Sequence, residues 1–493
     1  MNELALKCSL FSEKISDYIA AWITQNSSFR LRTFYAETFS LSLLHKHNRL
    51  TPEIRQILRN EYNIKNKNDP EFHFEFNNYA LTDYLKRSND LEFHQFLFPL
   101  KFKNTPCTNW TLLRSVVRIL NGVEIDLALN EAQKKIQIFQ MKNGLILDDA
   151  QVKSFQYHCF SAAMIYEIFL KTKDLFFKKA FLKSTHFIRH FIMPNGDTLY
   201  IGRGQEQSFG MGVLIYILAL DYKETNDSSV LGDLQKVISF LEANKKANGT
   251  FPLVFNGIEP EIPENYNPMD ERFYGWYPYN NYFDYLSFLG LFLSKSFDIL
   301  KEMNISISRQ KLAENYRDSS FIIINKLNYR AVLSLPGGYW TNDLPFPLVF
   351  HRDRFQTPML GGEQFQKSLY NITDLSMPLT KVKNISWRKF GKGFFFKNSL
   401  IWVSVFGILI RHYSFSKDYI RVTNYSICFI PSVQSISFYS DLIFLNTLEA
   451  KTRNVFIKFS RAPLKKTKGH SPVGALMNVF LPMNHDITMR FDL

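Results

Sequence analysis

Cysteine is scarce in this 493-residue chain, with four in all. Cys8, Cys107, Cys159 and Cys428 lie far apart and show no CxxC or zinc-type spacing. That excludes a disulfide framework and a cysteine metal centre, and it implies buried free thiols in a reducing compartment. No HExxH, GxxxxGK[ST] or GxGxxG stretch occurs, so neither a metal site nor a phosphate loop is expected. Long apolar runs are missing too. The N-terminal MNELALKCSLFSEKISDYIAAW is interrupted by Glu3, Glu13 and Asp17 and does not read as a signal peptide. LIWVSVFGILI at 400–410 is too short to span a bilayer and reads as a buried strand. A cytoplasmic protein without a membrane span is therefore expected. Acidic residues are in deficit, 45 against 59 Lys and Arg, for a net charge of +14. The imbalance favours anionic partners. Its densest clusters are Lys381, Lys383, Arg388, Lys389, Lys392 and Lys397, then Arg461, Lys465, Lys466 and Lys468. No recognised nucleic-acid-binding module accompanies them, so nucleic acid is not the expected partner.

What is present describes a folded protein of more than one domain. Apolar residues make up 46% and charged residues 21%, a globular balance, and the length exceeds one ordinary core. Aromatics reach 16%, with 47 Phe and 24 Tyr, and most are expected to fill cores. Helical spacing is read at 3–25, 29–47 and 74–87, with Thr51 capping a short helix that begins at Pro52. Residues 88–108 read as a long loop. Helices then follow near 109–121, 127–142, 154–171, 175–193, 206–222, 229–244 and 279–302. A phrase of helix, Asn-Gly, short extended piece and helix recurs at 143, 195 and 248. Such a repeat of helical hairpins builds either an open solenoid or a closed ring, and periodicity alone does not choose. From about residue 320 short β-branched and aromatic runs separated by turn residues take over, which predicts an all-β sandwich. The expected fold is an N-terminal (α/α) toroid of helical hairpins over 1–320 and a C-terminal antiparallel β-sandwich over 321–493.

Four stretches carry chemistry: NTPCTNWTLLRSVVRILNG, GLILDD followed by YHCFSAAM, GRGQEQSFG, and WYPYNNYFDYLSFLG. In this order, before a β-rich half, they resemble the heparinase II/III-like polysaccharide lyases over residues 105–290. The resemblance implies a toroid with a cleft across its rim, and β-elimination at a uronate without a cofactor. A base removes the C5 proton once the neighbouring carboxylate is neutralised, and an acid protonates the leaving glycosidic oxygen. The matching residues would be Asn109 as neutraliser, His158 as base or co-base and Tyr157 as acid or base. Arg203 would pair with the carboxylate. Gln205, Glu206 and Gln207, with Trp276, Tyr277, Asn280, Asn281, Tyr282 and Asp284, would bind sugar. The implied partner is an acidic oligo- or polysaccharide.

The residues leave other readings open. Asn109 also suits a helix cap, Tyr157–His158 suits a core pair, and GRGQEQSFG suits a turn. Neighbouring helical residues point about 100° apart, which puts a shared Tyr157/His158 role in question. Two features depart from the family: the chain has no recognisable export signal, and the asparagine motif lacks its fuller aromatic pattern. A glycoside hydrolase would instead need two carboxylates across the cleft, from Asp148, Asp149, Glu206 and Asp284, with Asp149 and Glu206 the pair to check. A non-catalytic glycan-binding or surface-polysaccharide assembly protein would keep the aromatics without an aligned base. In the β half, His351 to Phe355 and the following Gly361, Gly362 and Glu363 could reach over the toroid rim.

Overall fold

The structure is a computed structural model describing residues 2–69, 72–204, 206–257, 280–303, 314–335, 347–358, 391–429, 433–471 and 474–491. Twelve helices among these precede every strand. They alternate between two kinds. α1 (Glu3–Asn26), α3 (Pro52–Asn68), α5 (Leu91–Leu97), α7 (Ile125–Phe139), α9 (Leu175–Arg189) and α11 (Ser228–Ala243) each bury one stripe. In α7 only Ala128, Ala132 and Ile136 are buried. α2 (Ala36–Lys46), α4 (Phe74–Leu85), α6 (Thr108–Asn121), α8 (Phe155–Thr172), α10 (Ser208–Thr225) and α12 (Tyr282–Leu300) are buried over most of their length. A helix buried all round belongs to an interior.

The six interior helices form a closed ring. Each packs on the next, and α12 packs on α2. The open solenoid is thus ruled out. At the seam Asp284 accepts the Phe34 and Tyr35 N–H groups at 2.9–3.1 Å, while Asn281 Nδ2 donates to Arg32 O at 2.5 Å. The ring axis is filled with aromatics: Phe288 stacks on Phe39 and on Phe292, each at 4.7 Å between centroids. Those rings account for part of the phenylalanine excess. Beyond them Lys295 pairs with Glu167 at 2.8 Å, and Tyr79 donates to the same carboxylate at 2.7 Å.

The three Asn-Gly turns share one chemistry. Asn143, Asn195 and Asn248 each accept, through Oδ1, the N–H two residues on, at 3.0–3.1 Å. The following glycines have φ of 104°, 95° and 82°, a backbone conformation that favours glycine. Each turn rests on the outer helix of the next hairpin. Gly144 lies against Lys183 of α9, Gly196 against Lys236 of α11, and Gly249 against Lys14 of α1. The third step returns to the first helix, as a closed ring requires.

The β half begins with an antiparallel sheet of β1 (Tyr316–Arg317), β2 (Phe321–Asn325), β3 (Arg330–Ser334), β4 (Leu348–His351) and β5 (Arg354–Phe355). This sheet is buried on both faces. Phe321 and Ile323 join the toroid core, whereas Ile322 faces the second core. That explains why FIII is continuously apolar rather than alternating. Arg330, buried at 6% exposure, donates to the carbonyls of His190 and Ile192 just beyond the end of α9. A cation there also suits the negative end of a helix. The remaining strands are β6 (Gly391–Phe396), β7 (Ser399–Ser404), β8 (Gly407–Phe415), β9 (Tyr419–Cys428), β10 (Val433–Tyr439), β11 (Ile443–Phe444), β12 (Glu449–Lys451), β13 (Val455–Phe459), β14 (Lys465–Ser471), β15 (Gly474–Pro482) and β16 (His485–Phe491). They form an eight-stranded sheet in the order β11-β12-β13-β16-β9-β8-β7-β6 and a three-stranded sheet in the order β10-β15-β14. Their inward residues, among them Val422, Phe438, Ile457 and Val479, share the second core with Ile322 and Val349.

Several expectations need correction. The helix read over 29–47 starts only at Ala36, because Asp284 holds residues 34 and 35 at the seam. The loop read over 88–108 contains α5, capped by Asp90. The run at 400–410 is a hairpin of β7 and β8 rather than one buried strand. Its outer face leaves Val403, Val405, Ile408 and Ile410 exposed. Among the described residues Cys8 and Cys159 are buried free thiols, and burial pushes the Cys8 thiol up to about 12. No helix is long and apolar enough to cross a membrane among the described residues.

The glycine geometry separates two variants. An added Cβ at Gly196 would sit 2.1 Å from Lys236 O, whereas at Gly122 (φ 71°) nothing lies within 4 Å. Gly122→Ala is expected to cost about 1 kcal/mol, from the left-handed backbone alone. Gly196→Ala is expected to cost about 3 kcal/mol or more, since backbone must also move. Urea unfolding of both variants checks the order.

Candidate functional site

A cavity of about 360 Å³ opens at the rim where the interior helices begin. Its position follows from helix register. Phe76, Trp110, Tyr157 and Asp284 are each the third residue of their helices, α4, α6, α8 and α12, and all four line the wall. Phe209, second in α10, and Tyr35, the residue before α2, complete the circuit. Every interior helix therefore turns its N-terminal end toward this space. Those ends carry partial positive charge and favour anions. Arg32, Lys103 and Arg203 add three cationic side chains to the wall.

Tyr157 and Arg203 meet here. The guanidinium carbon of Arg203 stands 5.5 Å from the centre of the Tyr157 ring, and its Nη1 pairs with Asp148 Oδ2 at 3.2 Å. Asp148 is buried behind it, and burial pushes its carboxyl up even though Arg203 opposes the shift. Ser154 caps α8 by accepting the Tyr157 N–H, and its hydroxyl donates to Arg203 O at 2.6 Å. The loop thus sets both groups from one side chain. Gly204, at φ 65°, lies so near that a Cβ would meet Gln156 Nε2 at 2.7 Å and the Tyr157 ring at 3.3 Å.

Opposite them, Asp284 lines the cavity while serving the seam. Burial, with Glu37 nearby, pushes its carboxyl up to about 7 although the Tyr35 and Phe34 N–H groups pull it down. His73, the residue before α4, packs between the Phe34 and Trp110 rings, at 4.7 and 5.0 Å. Sequence reading missed His73, along with Arg32 and Lys103. Placing each interior helix in the register of Tyr157 would have pointed to His73, since it directly precedes such a helix.

Other expected site residues lie elsewhere. His158 is fully buried, one residue past the register. Its Nδ1 accepts the Ile146 N–H at 2.9 Å and its Nε2 donates to Ser184 O at 3.0 Å. Both ring nitrogens are engaged with backbone, and the ring packs on Phe187. Asn109, one residue before the register, is buried and accepts the N–H of Trp110 at 2.7 Å. Gln207 bonds Gln156 and Asn280 behind the wall, and Asn280 also accepts from Tyr285, which does line it. Asn281 caps α12, and Tyr282 meets Thr250 at 2.8 Å. Glu206 is fully buried beside Asp197 and Asn256. Gln205, Trp276, Tyr277 and residues 361–363 lie outside the described residues. The proposed pair of Asp149 and Glu206 does not assemble. Asp149 is exposed and bonded to Ala150 N, and neither residue is among the described residues of the wall. No group of three or more His, Cys, Asp or Glu side chains suited to a metal occurs among the described residues.

No family model matches the chain, and no curated protein matches it. Loose structural likenesses exist. The chain is similar to a heparan sulfate lyase, HepC, from Pedobacter heparinus at 12% identity and a TM-score of 0.33, over 92% of this chain and 75% of that one. It is similar to a polysaccharide lyase at 12% identity and 0.42, over 62% and 100%. It is also similar to the GH76A α-1,6-mannanase of Salegentibacter sp. HEL1_6 at 14% identity and 0.43, over 59% and 99%. With superpositions this loose, the functional reading rests on the geometry of the chain itself.

Burial holds the folded His158 ring at a pKa of about 4, against 6.5 when free. Between these values the unfolded chain binds the extra proton, so stability attributable to His158 falls as pH drops from about 6.5 to about 4. The full effect is on the order of 3 kcal/mol. Denaturant unfolding across that range should show wild type losing stability relative to His158→Gln on acidification. A constant difference between the two would contradict the placement.

Proposed function

We propose that the central cavity binds an acidic glycan and cleaves it by β-elimination. The observation that carries this reading is Tyr157 beneath Arg203 on a wall with two further cations and six helix N-termini. A uronate carboxylate would lie against Arg203, with Arg32 and Lys103 strengthening the local field. Withdrawing charge from that carboxylate makes the C5 proton removable. Tyr157 or His73 would take that proton. The electron pair then forms the C4–C5 double bond as the C4–O bond breaks, and Tyr157 would return a proton to the departing oxygen. Trp110 and Phe34, both partly exposed on the wall, offer ring surface for sugar packing. Two-carboxylate hydrolysis fits less well, because Asp284 is the one carboxyl among the described residues of the wall, and it is tied to the seam.

The reaction leaves a double bond conjugated to a carboxylate, which absorbs in the ultraviolet, whereas hydrolysis leaves none. Wild-type protein with a panel of uronate-containing polysaccharides is expected to give that rise. Tyr157→Phe should lower kcat by about 100-fold or more, and Arg203→Ala should both raise KM and lower kcat. Reducing ends appearing without the absorbance would overturn elimination. A Tyr157→Phe variant as active as wild type would overturn the assignment of Tyr157.

A further inference from the structure

At its β6 end the eight-stranded sheet is apolar on both faces. Strand register sets two rows across the outer face. Phe394, Ile401, Ile410 and Tyr425 stand side by side on β6, β7, β8 and β9, and Lys392, Val403, Ile408 and Ile427 form the next row. Between them Leu400, Leu409 and Val422 point the other way and are buried. An antiparallel sheet with one face on a core and the other in water ordinarily alternates apolar with polar residues. These strands do not.

Apart from half-buried Ile401, the apolar side chains of the two rows are 40–70% exposed. Val405 and Phe429 prolong the patch at the strand ends and are exposed as well. With a large side chain worth roughly 150–250 Å² when fully exposed, the patch is on the order of 1,000 Å². The largest apolar patch of a monomer is typically about 300–600 Å². A stable dimer asks about 800 Å² of each partner.

Charge selects the partner. Lys392, at the end of its row, is the one charged residue of the eight. The row on the far side, Phe396, Ser399, His412 and Thr423, leads to the Arg421–Asp486 ion pair. An apolar centre with a polar rim is the anatomy of a protein interface. An anionic lipid surface would instead attract a cluster of basic side chains across the face. In a two-fold contact each residue meets the same surface on the partner, so charge in the centre would oppose itself. Uncharged rows meet that condition, and two sheets can pack face to face about 10 Å apart with their side chains interdigitated.

We infer that this chain pairs with a second copy of itself through the outer face of β6 to β9, as a two-fold dimer centred on the two apolar rows. The pairing is independent of the chemistry of the central cavity.

Sedimentation equilibrium of the full chain at micromolar concentrations tests it. Wild type is expected at the mass of two chains. Added salt should tighten the pairing, because it screens repulsion between two chains of net charge +14. Ile410→Lys and Tyr425→Lys, both at exposed positions and with folding checked by circular dichroism, should each weaken the dimer about tenfold or more. Leu327→Lys, an exposed apolar position in the turn between β2 and β3, should leave it unchanged. A monomeric wild type would overturn the inference even if a variant failed to fold, and its flotation with phosphatidylglycerol vesicles would assign the face to lipid. A dimer that persists in folded Ile410→Lys and Tyr425→Lys, or that dissociates in salt, would overturn it too.

Discussion

Closure of the six interior helices into a ring is the constraint on which the rest of this molecule depends. Because an outer helix returns the chain between successive interior ones, all six start at one rim, and closure gathers their N-terminal ends around a single cavity. It also forces a seam, and the seam is made by Asp284, a carboxyl within the cavity wall. The residue that completes the fold thus also borders the cavity, with its carboxyl buried in the wall. Backbone N–H groups rather than a cation satisfy it, and burial makes it a partly protonated acid near neutral pH. At the other end of the axis, stacked phenylalanines and the Lys295–Glu167 pair close the ring, so access is from the rim.

The helical hairpins and their boundaries were largely legible, because each has its own cap and its own periodicity. Asp174 and Asp227 open α9 and α11, Ser154 opens α8, and the Asn-Gly turns mark the passage to the next helix. Those are local signals. What required the structure was long-range. Nothing local in residues 29–35 says that Asp284, some 250 positions away, would hold them out of a helix. Nor does the apolar run at 400–410 announce its turn. Val405 and Phe406 have no turn chemistry of their own, and only Gly407 (φ 144°) hints at the reversal. Both-face burial of β2 was visible as FIII, but its meaning depends on a toroid lying against one side.

The site was half legible for a geometric reason. Tyr157 and Arg203, which line the cavity, were singled out because a phenol and a cation stand out in sequence, yet His158 and Asn109 stand out just as much. One step of about 100° along a helix separates Tyr157 from His158, and likewise Trp110 from Asn109. That step decides between cavity and core. His158 spends both nitrogens tying α8 to backbone at Ile146 and Ser184, a role that composition could not distinguish from catalysis. The basic excess divides similarly. A few cations, Arg32, Lys103 and Arg203, reach the central wall, while a second cavity lined by Asp197, Asp353, Asp441 and Arg354 is acidic.

The central claim is that a uronate carboxylate sits against Arg203 with its sugar ring beside Tyr157. A crystal structure of Tyr157→Phe soaked with a uronate trisaccharide tests it most directly. The account expects the carboxylate within hydrogen-bond reach of the Arg203 guanidinium and C5 facing position 157. A trisaccharide bound with its carboxylate turned away from Arg203, or bound outside the ring mouth altogether, would contradict it.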